Sequence, residues 1–140
     1  MKSGLEKYCY KRLEEEGFNF GYETQTFTVV DEFIYEGDYY SMTNGSGKLI
    51  DKTGKKVRGI KYTPDFILPD NRIIIETKGY IRSQHSFPLR FKLFLSYLNR
   101  NGMGDWGIYL LKNQKQVNEA IQLIKNESKC SKPALLSFDK

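Results

Sequence analysis

Three charged residues, Asp65, Glu76 and Lys78, stand at the ends of two short apolar segments in the stretch YTPDFILPDNRIIIETKG, residues 62–79. Side chains two positions apart in a strand share a face, so Glu76 and Lys78 are expected to point to the same side. Pro64 cannot donate a hydrogen bond to a neighbouring strand and predicts a break there, which would turn the Asp65 carboxylate toward Glu76. The pattern predicts one site that receives all three charges.

Two carboxylates brought together repel each other, and a hard divalent cation offsets that repulsion. Mg²⁺ takes oxygen ligands and keeps several waters, which suits a site that acts on a phosphate group. Lys78 beside such a metal could orient or help deprotonate an attacking water and stabilise charge on the phosphate. The alternative is a cross-strand salt bridge from Lys78 to Asp65 or Glu76, worth about 0.2 to 1 kcal/mol when exposed. Spacing alone leaves both open.

Two β-rich segments must position these charges, and the letters PDN between them predict the tight turn of an antiparallel hairpin. Residues 73–75 are all Ile, without polar alternation, so we expect their strand to be central and covered on both faces. Residues 18–35 predict one extended strand, with or without a bulge. Residues 3–16 predict the first helix, and FPLRFKLFLSYLNRNG predicts a second, amphipathic one.

The remaining segments complete the fold class. DWGIYLLK predicts a buried strand, NQKQVNEAIQLIKNE predicts a last helix, and the tail SKCSKPALLSFDK is ambiguous, with a short edge strand as one interpretation. The order helix, strand, strand, strand, helix, strand, helix predicts an α/β fold whose mixed central sheet is flanked by helices on both faces. A chain of 140 residues is expected to be one domain spanning residues 1–140.

Composition excludes several classes of protein. No segment approaches the roughly 20 apolar residues of a membrane span, and the N-terminus lacks the apolar core of a secretory signal, so we expect a cytoplasmic protein with no membrane partner. Cys9 and Cys130 are far apart and the chain has one His. These counts predict neither a structural zinc site nor a disulfide framework.

Positive charge is concentrated after residue 40. The formal net charge is +5, with residues 1–40 acidic and the rest strongly basic. Turn signals NGSG and TGKK predict a projecting β-hairpin over residues 37–61, called the basic arm below. Its basic residues are Lys48, Lys52, Lys55, Lys56, Arg58 and Lys61. Such an arm could track a phosphate backbone, with a simple solvated arm as the alternative. Arg82, Arg90 and Lys92 are expected to contact DNA phosphate as a group.

The motifs PD at 64–65 and ETK at 76–78 resemble those of the PD-(D/E)xK nuclease superfamily, whose restriction-endonuclease-like core has the order α-β-β-β-α-β. More narrowly, SGLE at 3–6, YTPDFILP at 62–69 and IIIETKG at 73–79 resemble the endonuclease I family of bacteriophage Holliday junction resolvases. GKKVRGIKYTPDF and FPLRFKLF resemble small phage-encoded relatives. The resemblance implies Mg²⁺-dependent hydrolysis of phosphodiester bonds in branched or structured DNA, with Mn²⁺ as a substitute, leaving 5′-phosphate and 3′-hydroxyl ends.

The resemblance also implies roles for individual residues. Asp65 and Glu76 become metal ligands, the Thr77 backbone carbonyl becomes a further metal contact, and Lys78 becomes the catalytic lysine. Glu6 matches the acidic residue that the family places on its first helix, facing the metals. SGLE is also a capping box, in which Glu6 would satisfy the start of the helix, and the two roles could coexist.

Two departures from the endonuclease I family leave the substrate open. Only two residues precede SGLE, and the basic insertion at 37–61 is longer. A homodimer is also left open, because a resolvase needs two active sites to cut two strands symmetrically. The rival interpretations are a catalytically silent DNA-binding module of a phage complex, and an interaction protein whose motif is a chance salt bridge.

Overall fold

The computed structural model describes residues 3–42, 47–79 and 86–130, with side chains described as far as residue 127. Three helices lie in these parts of the chain: α1 (Gly4–Glu15), α2 (Phe87–Arg100) and α3 (Gln114–Cys130). The strands are β1 (Gly21–Tyr22), β2 (Phe27–Val30), β3 (Phe33–Ile34), β4 (Tyr40–Met42), β5 (Leu49–Asp51), β6 (Lys56–Val57), β7 (Ile60–Tyr62), β8 (Phe66–Leu68), β9 (Ile73–Thr77) and β10 (Gly107–Leu111). No described helix is long and apolar enough to cross a bilayer.

A four-stranded sheet carries the two segments of the charged motif. Its strand order is β1-β8-β9-β10, in which β8 runs antiparallel to β1 and β9, and β10 runs parallel to β9. The predicted hairpin is confirmed, with Phe66 opposite Ile75 and Leu68 opposite Ile73. At its turn the Arg72 N–H donates to the Pro69 carbonyl over 3.3 Å.

Strand β9 is buried along its whole length, as the run of Ile residues predicts. Ile73 and Ile75 pack into a core with residues of α1 and α3, whereas Ile74 packs on the opposite face against residues of α2. Alternation along one strand therefore supplies two cores, one on each face of the sheet. The prediction of a mixed α/β fold with helices on both faces is confirmed at this level.

The single strand predicted over residues 18–35 is wrong, because the chain forms three short strands with three different partners. Strand β1 pairs with β8, β2 pairs with β7, and β3 pairs with β6. Glu23 adopts a left-handed backbone conformation, with φ of 51°, which ends β1 and redirects the chain. Pairing of β2 with β7 is irregular between Thr28 and Val30, where a bulge bends the ribbon.

The predicted projecting hairpin is present, and its ribbon begins earlier than residue 37. Strands β3 and β6 form its lower part, and β4 and β5 form its upper part, with Tyr40 opposite Asp51. At the base, a Cβ on Gly59 would lie 2.4 Å from the Val30 carbonyl oxygen, so only glycine allows this close approach. The ribbon exposes large apolar side chains, among them Phe33, Ile34, Tyr35, Tyr40, Met42 and Leu49.

The three helices predicted from the sequence are confirmed. Ser3 caps α1 by accepting a 3.0 Å hydrogen bond from the Glu6 N–H, and Gly17 follows the helix with φ of 77°. Val117, Ile121 and Ile124 of α3 face the core.

Two predictions for the C-terminal part of the chain, a buried strand and a short edge strand in the tail, need correction. The predicted buried strand is β10, an edge strand whose middle is half-buried and in which only Leu111 is fully covered. Ser128–Cys130 belong to α3 rather than to an edge strand. Residues 131–140 lie outside the described residues.

Candidate active site

A cleft of about 760 Å³ opens where β8 and β9 bring the charged motif together. Its acidic lining residues are Glu6, Glu23, Asp65 and Glu76, and its basic lining residues are Lys61, Lys78 and Arg90. The cleft therefore contains every acidic site residue that the sequence predicts, together with the predicted lysine.

Asp65 lies at the break that Pro64 predicts, between β7 and β8. Its carboxylate oxygen Oδ2 accepts hydrogen bonds from the Thr77 N–H over 2.9 Å and from the Thr77 hydroxyl over 2.8 Å. Its backbone carbonyl accepts from the Glu23 N–H over 2.8 Å. Both neighbouring strands of the sheet thus hold Asp65 in place, with its side chain buried.

Glu76 of β9 and Lys78, the first residue after that strand, lie on the same side, as their spacing predicts. Glu76 Oε1 accepts from the Asp65 N–H over 3.1 Å, and Lys78 Nζ lies 3.6 Å from Glu76 Oε2. The lysine ammonium also lies 4.6 Å from the centre of the Phe87 ring. This ion pair is not the exposed kind, because the Glu76 side chain is only 5% exposed.

Burial makes the negative charges of this site costly. It raises the pKa of Glu76 to about 7, and the charge of Asp65 adds to the effect while Lys78 opposes it. Burial likewise raises the pKa of Asp65, helped by the charge of Glu6 and opposed by the hydrogen bonds from Thr77. Carboxylates that resist ionisation in this way gain most from a bound cation.

Glu6 serves the helix with its backbone and the site with its side chain. Its N–H donates to the Ser3 cap, while its buried carboxylate accepts a 2.9 Å hydrogen bond from the Tyr22 hydroxyl. Of the predicted capping box, the described contacts contain the bond to Ser3, while the Glu6 side chain bonds Tyr22 rather than the start of the helix. Its part as a metal ligand stays a prediction.

Glu23 is a site residue that the sequence analysis missed. Carboxylate oxygens of Glu6, Glu23 and Asp65 lie within 4.8 Å of one another, close enough to share one cation. Glu23 is exposed and follows a two-residue strand, so its letter and spacing resemble those of any surface glutamate. Only the pairing of β1 with β8 places it opposite Asp65, and that pairing leaves no local signal in the sequence.

The donor set suits a hard divalent cation. It consists of carboxylate oxygens, which suit Mg²⁺ better than zinc, because zinc prefers sulfur and imidazole ligands. Glu6, Glu23 and Asp65 could hold Mg²⁺ or Mn²⁺, whereas the predicted ligand Glu76 is not part of this group of oxygens. Its own oxygens face the Asp65 N–H and Lys78 Nζ. The Thr77 carbonyl as a metal contact stays a prediction.

The predicted DNA-contacting residues lie in different parts of the structure. Lys61 and Arg90 line the cleft, where Arg90 donates to the Lys61 carbonyl and its guanidinium lies 5.8 Å from the Tyr62 ring centre. Five others, Lys48, Lys52, Lys55, Lys56 and Arg58, belong to the basic arm. Lys56 forms a 3.4 Å ion pair with Glu32. Lys92 is exposed on α2, and Arg82 lies outside the described residues.

Comparison with protein-family models, curated proteins and solved structures found no match. The resemblance carried by the PD and ETK motifs therefore stays a prediction. The fold brings Glu6, Glu23 and Asp65 within 4.8 Å of one another and lines the same cleft with Glu76 and Lys78.

Proposed function

We propose that this chain is a metal-dependent DNA endonuclease with a restriction-endonuclease-like core. One observation carries the proposal: Asp65 and Glu76 are buried side by side, with raised pKa values, and Lys78 lies 3.6 Å from Glu76 in an open cleft. A structural salt bridge needs one carboxylate. A second buried carboxylate, joined by Glu6, costs free energy that a bound cation would offset.

Each residue then has a role in hydrolysis of a phosphodiester bond. Asp65 would hold Mg²⁺ together with Glu6 and Glu23, with Glu76 as the further ligand that the resemblance implies. When bound, the cation supplies a polarised phosphate and a water of lowered pKa. Lys78 is placed to donate to that water or to a phosphate oxygen, and the Phe87 ring limits its freedom by a cation–π contact.

Branched or structured DNA is the substrate class that we propose. Lys61 and Arg90 line the cleft, and the other basic residues of the arm precede Lys61 in the sequence. Positive charges along a β-ribbon can contact the phosphates of a DNA strand where it departs from a straight duplex, as at a branch point. A homodimer would supply a second cleft for the opposite strand.

Cleavage assays with matched variants test the proposal. Wild type, Lys78→Ala and the control Lys115→Ala would be incubated with a four-way junction, a flap, linear duplex and single-stranded DNA, each with Mg²⁺, Mn²⁺ or EDTA. We expect metal-dependent cleavage that Lys78→Ala abolishes with little loss of DNA binding, whereas Lys115→Ala cleaves normally because Lys115 is exposed on α3, outside the cleft and the basic arm.

Two results would overturn the assignment. Normal turnover by Lys78→Ala would exclude the lysine from the chemistry. Equal DNA binding by all three proteins, with no cleavage and no Mn²⁺ binding in calorimetry, would favour the catalytically silent DNA-binding module. Preference for the junction over the flap and the duplex would separate a resolvase from a general nuclease.

A further inference from the structure

A second cavity, here called the aromatic cavity, lies on the ribbon formed by β3 and β6. It measures about 310 Å³ and is lined by Phe33, Tyr35, Tyr39 and Val57, none of which lines the carboxylate cleft. The side chains of Phe33 and Tyr35 are 49% and 55% exposed. Sites for small ligands begin at about 300 Å³. These rings therefore form a cavity of ligand size rather than part of a core.

Strand pairing places the lining residues on one face of the ribbon. Phe33 is directly opposite Val57 in the pairing of β3 with β6, and opposite residues of an antiparallel pair share a face. Ile34 is opposite Lys56, so this pair lies on the other face, where Lys56 also forms its ion pair with Glu32. One face of the ribbon is thus aromatic, and the ion pair belongs to the opposite face.

Local contacts hold the two tyrosines of the cavity in place. Their ring centres are 6.5 Å apart, with the ring planes inclined at 71°. A Cβ added at Gly37 would lie 3.0 Å from Tyr35 Cε2, so this ring packs against the glycine. The Tyr39 N–H donates to the Thr53 hydroxyl over 3.0 Å, and its carbonyl accepts from the Lys52 N–H over 2.7 Å. Aromatic rings fixed in this way lose little conformational entropy when a ligand binds.

The charges beside the cavity indicate the kind of ligand. The acidic residues close to β3 are Asp31, Glu32, Glu36 and Asp38. The basic residues close to β6 are Lys52, Lys55, Lys56 and Arg58. A ligand that fits both strands has a flat apolar part, a negative charge and hydrogen-bond donors. A nucleotide with an unpaired base has all three, because its phosphate attracts lysine and arginine and an amino group such as cytosine N4 can donate to a carboxylate.

We propose that the aromatic cavity binds one unpaired base of the DNA substrate. The inference rests on the proposed function and deepens it, because branched and structured DNA offers bases outside the duplex. A paired base has its faces covered by its neighbours in the stack, whereas an unpaired base can stack on Phe33 or Tyr35. Every base has a π-face, so such stacking tolerates any sequence. The ribbon would then recognise a DNA structure rather than a sequence.

Two duplexes that differ in one base separate base binding from phosphate binding. One carries a single bulged cytosine, and the other carries an abasic site at the bulge and keeps every phosphate. Binding is measured in EDTA, which prevents metal-dependent cleavage. Wild type should bind the bulged cytosine about tenfold more tightly than the abasic duplex, as expected for one stacked base.

Variants of Tyr35 assign that preference to the cavity. Tyr35→Leu keeps an apolar side chain and removes the ring, so it should bind both duplexes alike. Tyr35→Phe keeps the ring and should keep the preference. Tyr40→Leu is the matched control, because Tyr40 is 52% exposed on the same ribbon and does not line the cavity. It should prefer the bulged cytosine as wild type does.

Three results would overturn the base site. Wild type could bind the two duplexes equally, a comparison that needs no variant to fold. Tyr35→Leu could keep the full preference, or Tyr40→Leu could lose it to the same extent. The opposite charges of the two strands also fit a second copy of this chain. A wild-type dimer that Tyr35→Leu dissociates, measured by sedimentation, would assign the aromatic face to dimerisation and would likewise overturn base binding.

The base site and the nuclease assignment fail separately. Wild type that prefers the bulged cytosine but cuts no DNA with Mg²⁺ or Mn²⁺ would end the nuclease assignment and keep the base site. Metal-dependent cleavage by a wild type that binds both duplexes equally would do the reverse. Absence of any DNA binding by wild type would overturn both.

Discussion

Thr77 binds one oxygen of Asp65 twice, through its N–H at 2.9 Å and its hydroxyl at 2.8 Å. Both bonds end on Oδ2, so Oδ1 is the oxygen that the arrangement offers to a cation. The side chain of Thr77 points away from the face shared by Glu76 and Lys78, and from there it fixes the carboxylate of the neighbouring strand. Thr77, the middle residue of the ETK motif, therefore has a structural role, which is to hold the Asp65 carboxylate in place.

Thr77→Val tests this task, because it keeps the shape of the side chain and removes the hydroxyl. We expect a loss of about 1.5 to 3 kcal/mol in the free energy of unfolding, typical of a buried hydrogen bond to a charged group. Urea denaturation measures it, and Thr28→Val on the exposed side of β2 is the control. Mn²⁺ affinity should fall as well, since Asp65 loses its orientation. An unchanged unfolding midpoint would contradict the expectation.

Glu23→Gln tests the acidic residue that the sequence analysis missed. The substitution keeps size and removes charge from the group that Glu23 forms with Glu6 and Asp65. Mn²⁺ affinity measured by calorimetry should fall by about tenfold or more. Glu119→Gln, exposed on α3, should bind the ion as wild type does. Equal affinities of the two variants would show that Glu23 is only a neighbour of the site.

Stability should depend on pH in the direction set by the buried carboxylates. The pKa of Glu76 is raised to about 7 in the folded protein, above the value of about 4.3 for an unfolded glutamate. The folded state therefore binds the proton more tightly, so the stabilisation is complete below about pH 4 and is lost as pH rises through 7. Melting temperatures without metal should fall between pH 5 and pH 8.

Saturating Mg²⁺ should cancel much of that fall, because the cation binds the ionised carboxylates. Glu76→Gln supplies the control, since it removes the titrating group and should flatten the pH dependence without metal. A melting temperature that rises toward pH 8 in the metal-free protein would contradict the burial of ionisable carboxylates described above.

Gly59→Ala should misplace the basic arm and leave the cleft intact. An added Cβ would meet the Val30 carbonyl at 2.4 Å, so the base of the ribbon must shift. We expect weaker DNA binding with unchanged Mn²⁺ affinity. Gly4→Ala is the control, because nothing lies within 4 Å of its added Cβ. Wild-type DNA binding by Gly59→Ala would show that the geometry of the arm base does not matter for the substrate.

Local patterns predict the parts of this site that are close in sequence. The hairpin that carries Asp65, Glu76 and Lys78 follows from a turn signal between two apolar segments, and the first helix with its cap follows from periodicity. Glu23 could not be predicted in this way, because the pairing of β1 with the distant strand β8 brings it to the cleft. A left-handed residue at Glu23 and a bulge in β2 also divide what periodicity alone presents as one strand.

The two parts of the site differ in how easily the strands that carry them can unfold locally. Glu76 and Thr77 lie on a strand buried throughout and paired on both sides, whose amides are expected to exchange with solvent only when the whole molecule unfolds. Glu23 follows a strand of two residues, which can open alone. Glu76 and Thr77 would then be in place before any ligand binds. Glu23 would move in and out of the site by local opening of β1, which amide hydrogen exchange can record residue by residue.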